Sequence, residues 1–208
     1  MKPLLRIYDL ARTARRRIIL PEGHDPRIQV AAARAAQEGI ARVVLLGSRS
    51  VLSPALEALG AAGEVEIIEP ETADDLEMIA QEFYRLRGHK GISQCQAREL
   101  VAQPLMQAAM RVRLGQADGT VGGACNTTSD TVRAALQVIG PAAGVSTVSS
   151  FFLMLSCKPD ARVKGGMIFA DCGLNVLPNP EELASIARAS AVMAECSALA
   201  NAATKTAA

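Results

Sequence analysis

Apolar residues along this chain gather in short dense runs, and the stretches between the runs repeat at helical spacing. The first run is "RRIIL" at 16–20, the second "RVVLLGS" at 42–48 and the third "VEIIEP" at 65–70. Each has the length and β-branched content of a buried strand. After the first run, "DPRIQVAAARAAQEG" puts Ile28, Ala31, Ala32 and Ala35 on one helical face. Asp25 is placed to cap that helix, and Pro26 suits its first position. "VLSPALEALGAAG" predicts a short helix ending on glycine. "TADDLEMIAQEFYRLRG" predicts a longer one, opened by a Thr72/Asp75 capping pattern and closed by Gly88. Two more helical pieces, "SQCQARELVAQ" and "PLMQAAMRVRLGQ", lead into "ADGTVGGACNTTSDTVRAALQVIG" at 117–140, which begins as a strand and ends as a helix. Strands separated by crossover-length helices predict an α/β fold, a parallel sheet flanked by helices on both faces.

The texture changes after residue 140. Pro141, two alanines and Gly144 form a hinge, followed by two β-like runs, "VSTVSSFFLMLS" and "GGMIFADCG". Asn179 and Pro180 then begin a long helix, "NPEELASIARASAVMAECSALANAA". This predicts a first α/β domain over residues 1–142 and the start of a second over 143–208. Two or three strands and one helix make a poor independent core, so the second domain is expected to be incomplete.

Composition narrows the function classes. Half of the 208 residues are apolar, 21% are charged and the net charge is +1, the profile of a soluble globular protein. That balance gives no electrostatic case for nucleic acid or an acidic membrane surface, and no apolar run is long enough to span a bilayer. The arginine-rich start lacks a secretory apolar region and carries Asp9, so a solvated first helix is expected there rather than a targeting peptide. Five scattered cysteines without a CxxC pair fit reduced thiols in a cytoplasmic protein, not a disulfide framework or zinc knuckle. With only His24 and His89, an imidazole-rich metal site is excluded. Neither GxGxxG nor GxxxxGK[ST] occurs.

Three loops at carboxyl ends of predicted strands or helices carry candidate chemistry. In "PEGHDPR", Glu22 and His24 are acid/base candidates, although proline, glycine and a capping Asp25 also suffice to start a helix. In "RLRGHKG", Arg85, Arg87, His89 and Lys90 form either a phosphate site or cations favoured by a helix C-terminus. In the 117–140 stretch, Gly122 and Gly123 allow a close turn, and Asn126, Thr127, Thr128 and Ser129 offer donors beside free helix amides. Arg133 shares a helix face with Ser129 and Asp130. The plainer alternative is a capping box of Thr127 and Asp130, with Asp130 paired to Arg133; both readings stand open.

The same loops carry a family resemblance. "RIILPEGHDPRIQVAAARAAQEGIARVVLLG", "LRGHKGIS", "MRVRLGQADGTVGGACNTTSDTVRAALQVIG" with "VSTVSSFFLM", and "FADCGLNVLPNPEELASIARASA" occur in the order in which similar blocks occur in the phosphate acetyltransferase (phosphotransacetylase) family. The resemblance implies two α/β domains of the isocitrate/isopropylmalate dehydrogenase-like kind, usually in a homodimer. It also implies reversible acetyl transfer between CoA and inorganic phosphate, giving acetyl phosphate. CoA and acetyl-CoA would be substrates, with no permanently bound cofactor.

By the matching positions, the resemblance assigns Arg87 and Arg133 to CoA and phosphate binding, and Asn126, Thr127 and Thr128, with Ser129 beside them, to the cleft lining. Members often carry histidine at the position of Asn126, which departs from the pattern. The family's catalytic base lies in a closing portion that no stretch here matches, so no catalytic residue is assigned and weak or absent turnover is expected. A non-catalytic CoA-binding remnant, or a partner subunit of a complete homologue, is the competing expectation. Phosphate butyryltransferase is a third. A multidomain fusion of the malic-enzyme kind is disfavoured by Met1 standing directly before the family's first helix.

Overall fold

The computed structural model describes residues 2–155 and 166–196. Two compact units are present: Ala14–Gly140, and the residues up to Thr13 together with those from Pro141 onward.

In the first unit, β1 (Arg17–Leu20), β2 (Arg42–Leu46), β3 (Glu66–Ile68) and β4 (Gly119–Thr120) form one sheet in the order β3-β2-β1-β4. All three pairings are parallel, with Arg17 opposite Arg42, Ile18 opposite Gly119 and Val44 opposite Glu66. The helices are α2 (Pro26–Gln37), α3 (Arg49–Ala58), α4 (Leu76–Arg87), α5 (Gln94–Val101), α6 (Pro104–Arg113) and α7 (Thr128–Val138); α1 (Lys2–Ala14) belongs, but for its last residue, to the other unit. The parallel sheet flanked by helices is as expected.

Strand side chains alternate between faces, and β2 shows both. Val43 and Leu45 pack with Ala32, Ala33, Leu52 and Leu56 of α2 and α3. Val44 and Leu46 face the other way, onto Ile19, Ala108 and Ala117. Beyond them Ile79, Phe83, Val101, Met110 and Val138 join α4, α5, α6 and α7 in a third apolar cluster. Burying a side chain such as Leu45 or Phe83 contributes ~1.5–3 kcal/mol.

Local expectations fared unevenly. Asp25 caps α2, its carboxylate accepting from the Arg27 amide at 2.8 Å, with Pro26 in the first turn. The buried face of α2, however, is Gln29, Ala32 and Ala33, while Ala31 is exposed. Thr72 and Asp75 do not form the expected cap. The Asp75 side chain instead accepts from the Arg111 guanidinium at 2.7 and 2.8 Å and from Gln116 at 3.0 Å. Arg111 is nearly buried, so Asp75 serves as its counter-ion. Burial would raise the Asp75 pKa, but hydrogen bonds from Arg111 and Gln116 prevail and lower it.

In the second unit, β5 (Phe152–Leu155) and β6 (Gly166–Phe169) pair antiparallel, Phe152 opposite Phe169 and Met154 opposite Met167. The run from Val145 to Ser150 is not strand. α8 (Pro180–Cys196) opens on a reciprocal cap, Asn179 accepting from the Glu182 amide at 2.9 Å and Glu182 from the Asn179 amide at 2.8 Å. The expected strand ends at Ser156 and Gly165, Cys157, and the helical continuation over 197–203 lie outside the described residues.

Candidate functional site

The order β3-β2-β1-β4 reverses direction between β1 and β4, so the two connections leaving those strands diverge and open a crevice beyond their carboxyl ends. The loop after β1 is Pro21–Asp25 and the loop after β4 runs from Val121 to Thr127.

Three rungs clamp these loops together. Glu22, with 1% of its surface exposed, aims its carboxylate into the second loop. Its Oε2 accepts from the amides of Gly123 at 3.0 Å and Ala124 at 2.8 Å. Its Oε1 accepts from the amides of Cys125 at 2.8 Å and Asn126 at 2.7 Å, and from Nδ2 of Asn126 at 2.8 Å. Burial would raise the Glu22 pKa, but the amides of Asn126, Cys125 and Ala124 and the Asn126 side chain override it and lower it to about 2. In the second rung the Cys125 thiol donates to Oδ2 of Asp25 at 3.1 Å. That bond, and then partial desolvation and the negative charge of Asp25, push the thiol pKa up, so Cys125 is held as a thiol rather than activated as a nucleophile. In the third, Arg27 donates to Asp25 at 2.5 Å and to the Ala124 carbonyl at 3.1 Å.

Backbone geometry sets the first loop at the required depth. The Gly23 amide donates to the Leu46 carbonyl at 3.2 Å. A β-carbon at position 23 would lie 2.5 Å from that carbonyl oxygen, so only glycine fits without displacement.

Next to the clamp is a cavity of about 530 Å³. Pro21 and His24 border it from the β1 loop, Asn126 from the β4 loop, and Asp130, Arg133 and Gln137 from α7. Leu100, Leu105 and Met106 supply an apolar side at the α5–α6 corner. A volume of this size suits a small-molecule ligand, and the mixture of apolar wall and few polar groups is the usual make-up of such sites.

The structure brings His24, Asn126 and Arg133 to this cavity and leaves Arg87, Thr127, Thr128 and Ser129 off its lining. Thr127 caps α7: its Oγ1 accepts from the Asp130 amide at 3.1 Å and donates to Oδ2 of Asp130 at 2.7 Å. Arg133 donates to Oδ1 of Asp130 at 2.9 Å, and the pair stays largely exposed. The Thr127 hydroxyl, and then Arg133, hold the Asp130 carboxyl below its usual range. Thr128 and Ser129 are exposed in the first turn of α7. Arg87 ends α4, half-buried. Its neighbour Arg85 is tied to Glu82 at 2.9 Å, while His89 and Lys90 are exposed in the short 3-10 turn that follows.

Of the two acid/base candidates, Glu22 is fully engaged by the turn and His24 stands at the cavity edge. The sequence missed the carboxylate-filled turn, because Glu22 and its partners are separated by 101 to 104 residues. The one available signal was an acidic residue in an apolar loop beside a glycine turn.

The second unit repeats the device. Asp171 accepts from the Ser150 amide at 3.1 Å and the Ser150 hydroxyl. It also accepts from the amides of Gly173 at 3.1 Å, Leu174 at 3.3 Å and Asn175 at 2.8 Å, and from the Asn175 side chain. Burial opposes its ionisation, but these bonds, led by Ser150, hold its pKa far below the usual carboxylate range. Both turns end on an asparagine whose amide returns to the carboxylate. Cys95, Cys125 and Cys172 are free thiols. Among the described residues no cluster of metal-ligating side chains occurs, and no helix is long and apolar enough to cross a membrane.

A parallel α/β sheet with a ligand-sized crevice at its topological switch point defines a broad class, one that hosts many chemistries. Comparison with known proteins narrows it. The family model described as phosphate acetyl/butaryl transferase matches residues 4–207, and the chain belongs to that family. A phosphate acetyltransferase from Paracoccus denitrificans is 52% identical over 191 residues, covering 92% of this chain and 57% of that protein. Another from Thermoanaerobacterium thermosaccharolyticum is 40% identical over 185 residues, covering 89% and 56%. A crystal structure of a phosphotransacetylase from Streptococcus pyogenes superposes with a TM-score of 0.86 at 31% identity, covering 94% of this chain and 58% of that one. The chain thus spans somewhat over half the length of these relatives.

Proposed function

We propose that this chain is part of a phosphate acetyltransferase, transferring an acetyl group reversibly between CoA and inorganic phosphate. Family membership over 4–207, with a cavity lined by Arg133 and Asn126 at the switch point, carries the reading. In the direction of acetyl-CoA synthesis, the CoA thiolate attacks the carbonyl carbon of acetyl phosphate. A C–S bond forms, the carbon–oxygen bond to phosphate breaks, phosphate leaves with the electron pair, and a base accepts the thiol proton.

In this reading Arg133 meets the phosphate charge, exchanging its exposed ion pair with Asp130 for one with the phosphate. Asn126 donates from the cavity wall, with Thr127, Thr128 and Ser129 shaping the entry, and Arg87 contributes to CoA binding. Residues 1–142 belong to the first domain and 143–208 to the second, in a cytoplasmic homodimer. No group among the described residues is proposed as the thiol base, because Glu22 and Asp25 are both held as ionised hydrogen-bond acceptors.

That engagement also favours a second reading, a chain that binds CoA without turning it over. A coupled assay of acetyl phosphate formation from acetyl-CoA and phosphate, run with this chain, separates them. The proposal predicts weak or undetectable turnover from this chain beside measurable CoA binding. Rates comparable to a full-length relative would show that the thiol base lies within these residues. Absence of CoA binding would remove both readings. Butyryl-CoA in the same assay tests the acyl chain.

A further inference from the structure

The turn from Gly123 to Asn126 has the construction of an anion cradle, consecutive backbone amides converging just before a helix N-terminus. In this chain the cradle is filled from within. Five donors, four of them consecutive amides, reach the two oxygens of Glu22 at 2.7 to 3.0 Å. A phosphate in the turn would need the same donors and would face a buried carboxylate of like charge. The β1 loop cannot swing that carboxylate away cheaply, since Gly23 is bonded to the Leu46 carbonyl and packed against it too closely for a side chain. The Cys125–Asp25 and Arg27–Ala124 bonds close the same seam on either side.

We propose that Glu22 is a built-in counter-anion, a positioning residue that takes the place of a ligand phosphate in the β4–α7 turn, closes that turn to soluble anions, and fixes Asn126 at the cavity wall. The assignment goes beyond the acyl-transfer reading and does not depend on it, because it concerns which anion the turn holds. Ligand anions are thereby directed to the cavity beside the turn rather than to the turn itself. The repeated arrangement at Asp171, with Asn175 in the place of Asn126, shows that the chain uses a carboxylate to order a glycine-containing turn more than once.

The test is a titration of the 15N-labelled chain with inorganic phosphate, following the amides of Gly123, Ala124 and Cys125. Every chain, the one called wild type included, carries Arg133→Ala so that phosphate in the neighbouring cavity does not move the same amides. In the wild-type chain these amides are expected not to shift saturably. In Glu22→Ala they are expected to shift saturably, with phosphate bound at least about tenfold more tightly than by wild type. Formate should replace phosphate in that variant, while Glu22→Gln, which still fills the cradle, should show no such gain. Saturable shifts of these amides in wild type overturn the proposal, as does a folded Glu22→Ala variant with no gain. If Glu22→Ala does not fold, the wild-type titration decides alone, unmoved amides supporting the assignment and saturating ones rejecting it. CoA binding and turnover enter none of these outcomes, so failure here is distinguishable from failure of the proposed function.

Discussion

Oε1 of Glu22 accepts from both the backbone amide and the side-chain amide of Asn126, at 2.7 and 2.8 Å. Residues 104 apart in sequence are thus joined at the point where the sheet order reverses.

The bond makes stability depend on pH in a definite direction. The folded pKa of Glu22, about 2, lies below its ordinary value of 4.5, so the native state favours the ionised form. Its contribution is therefore full above pH 4.5 and is lost as pH falls toward 2, amounting to roughly 3 kcal/mol across that window. Urea denaturation at several pH values should show wild type losing stability on acidification more steeply than Glu22→Gln. Parallel pH profiles for the two would contradict the prediction.

The close approach at Gly23 predicts a cost for the smallest possible side chain. Gly23→Ala forces a β-carbon against the Leu46 carbonyl, and its destabilisation should be about 1–3 kcal/mol. Gly39→Ala makes a poor control because its φ is +68°, whereas Ala31→Ser, exposed on α2, should cost no more than about 0.5 kcal/mol.

These two positions mark the limit of what the sequence reveals. Caps were legible because their partners lie two or three residues apart. Asp25 on the Arg27 amide, and Thr127 with Asp130 and Arg133, follow from spacing alone. Strands were legible where β-branched residues are packed on both faces, as in β2. Asp75 was misread for the same local reason: its neighbourhood looks like a cap, but its partner Arg111 is 36 residues away. The run from Val145 to Ser150 has strand composition, yet Ser150 gives its amide to Asp171 rather than to a neighbouring strand. Glu22 read as a possible acid/base group because nothing within the loop revealed that four amides from a distant turn surround it. The family resemblance was legible across the chain because it rests on ordered blocks, and the match over 4–207 agrees.

The ion pair of Asp75 and Arg111 predicts a large effect on stability from one cation. Arg111 keeps only 7% of its side-chain surface in water, and Asp75 keeps 31%. Arg111→Met leaves Asp75 without its main partner and should destabilise by roughly 3 kcal/mol. Arg85→Ala, which breaks an exposed pair with Glu82, should leave the denaturation midpoint unmoved. Equal effects from the two substitutions would remove the distinction.

Asp171 predicts a local rather than global response. Asp171→Ala should accelerate hydrogen exchange at the amides of Gly173, Leu174 and Asn175, which lose their acceptor. Amides within α2 of the other unit should exchange as in wild type. Unchanged exchange at 173–175 would mean that other contacts hold the turn.

The central claim is that this chain presents a CoA and phosphate site of the phosphate acetyltransferase kind, with Arg133 on the cavity wall and Arg87 at the end of α4. Calorimetric titration of CoA into wild type, Arg87→Ala and Arg133→Ala tests it most directly. The account predicts binding to wild type and a loss of about tenfold in affinity for each variant, the usual worth of a hydrogen bond to a charged group. Affinity unchanged in both variants would contradict it.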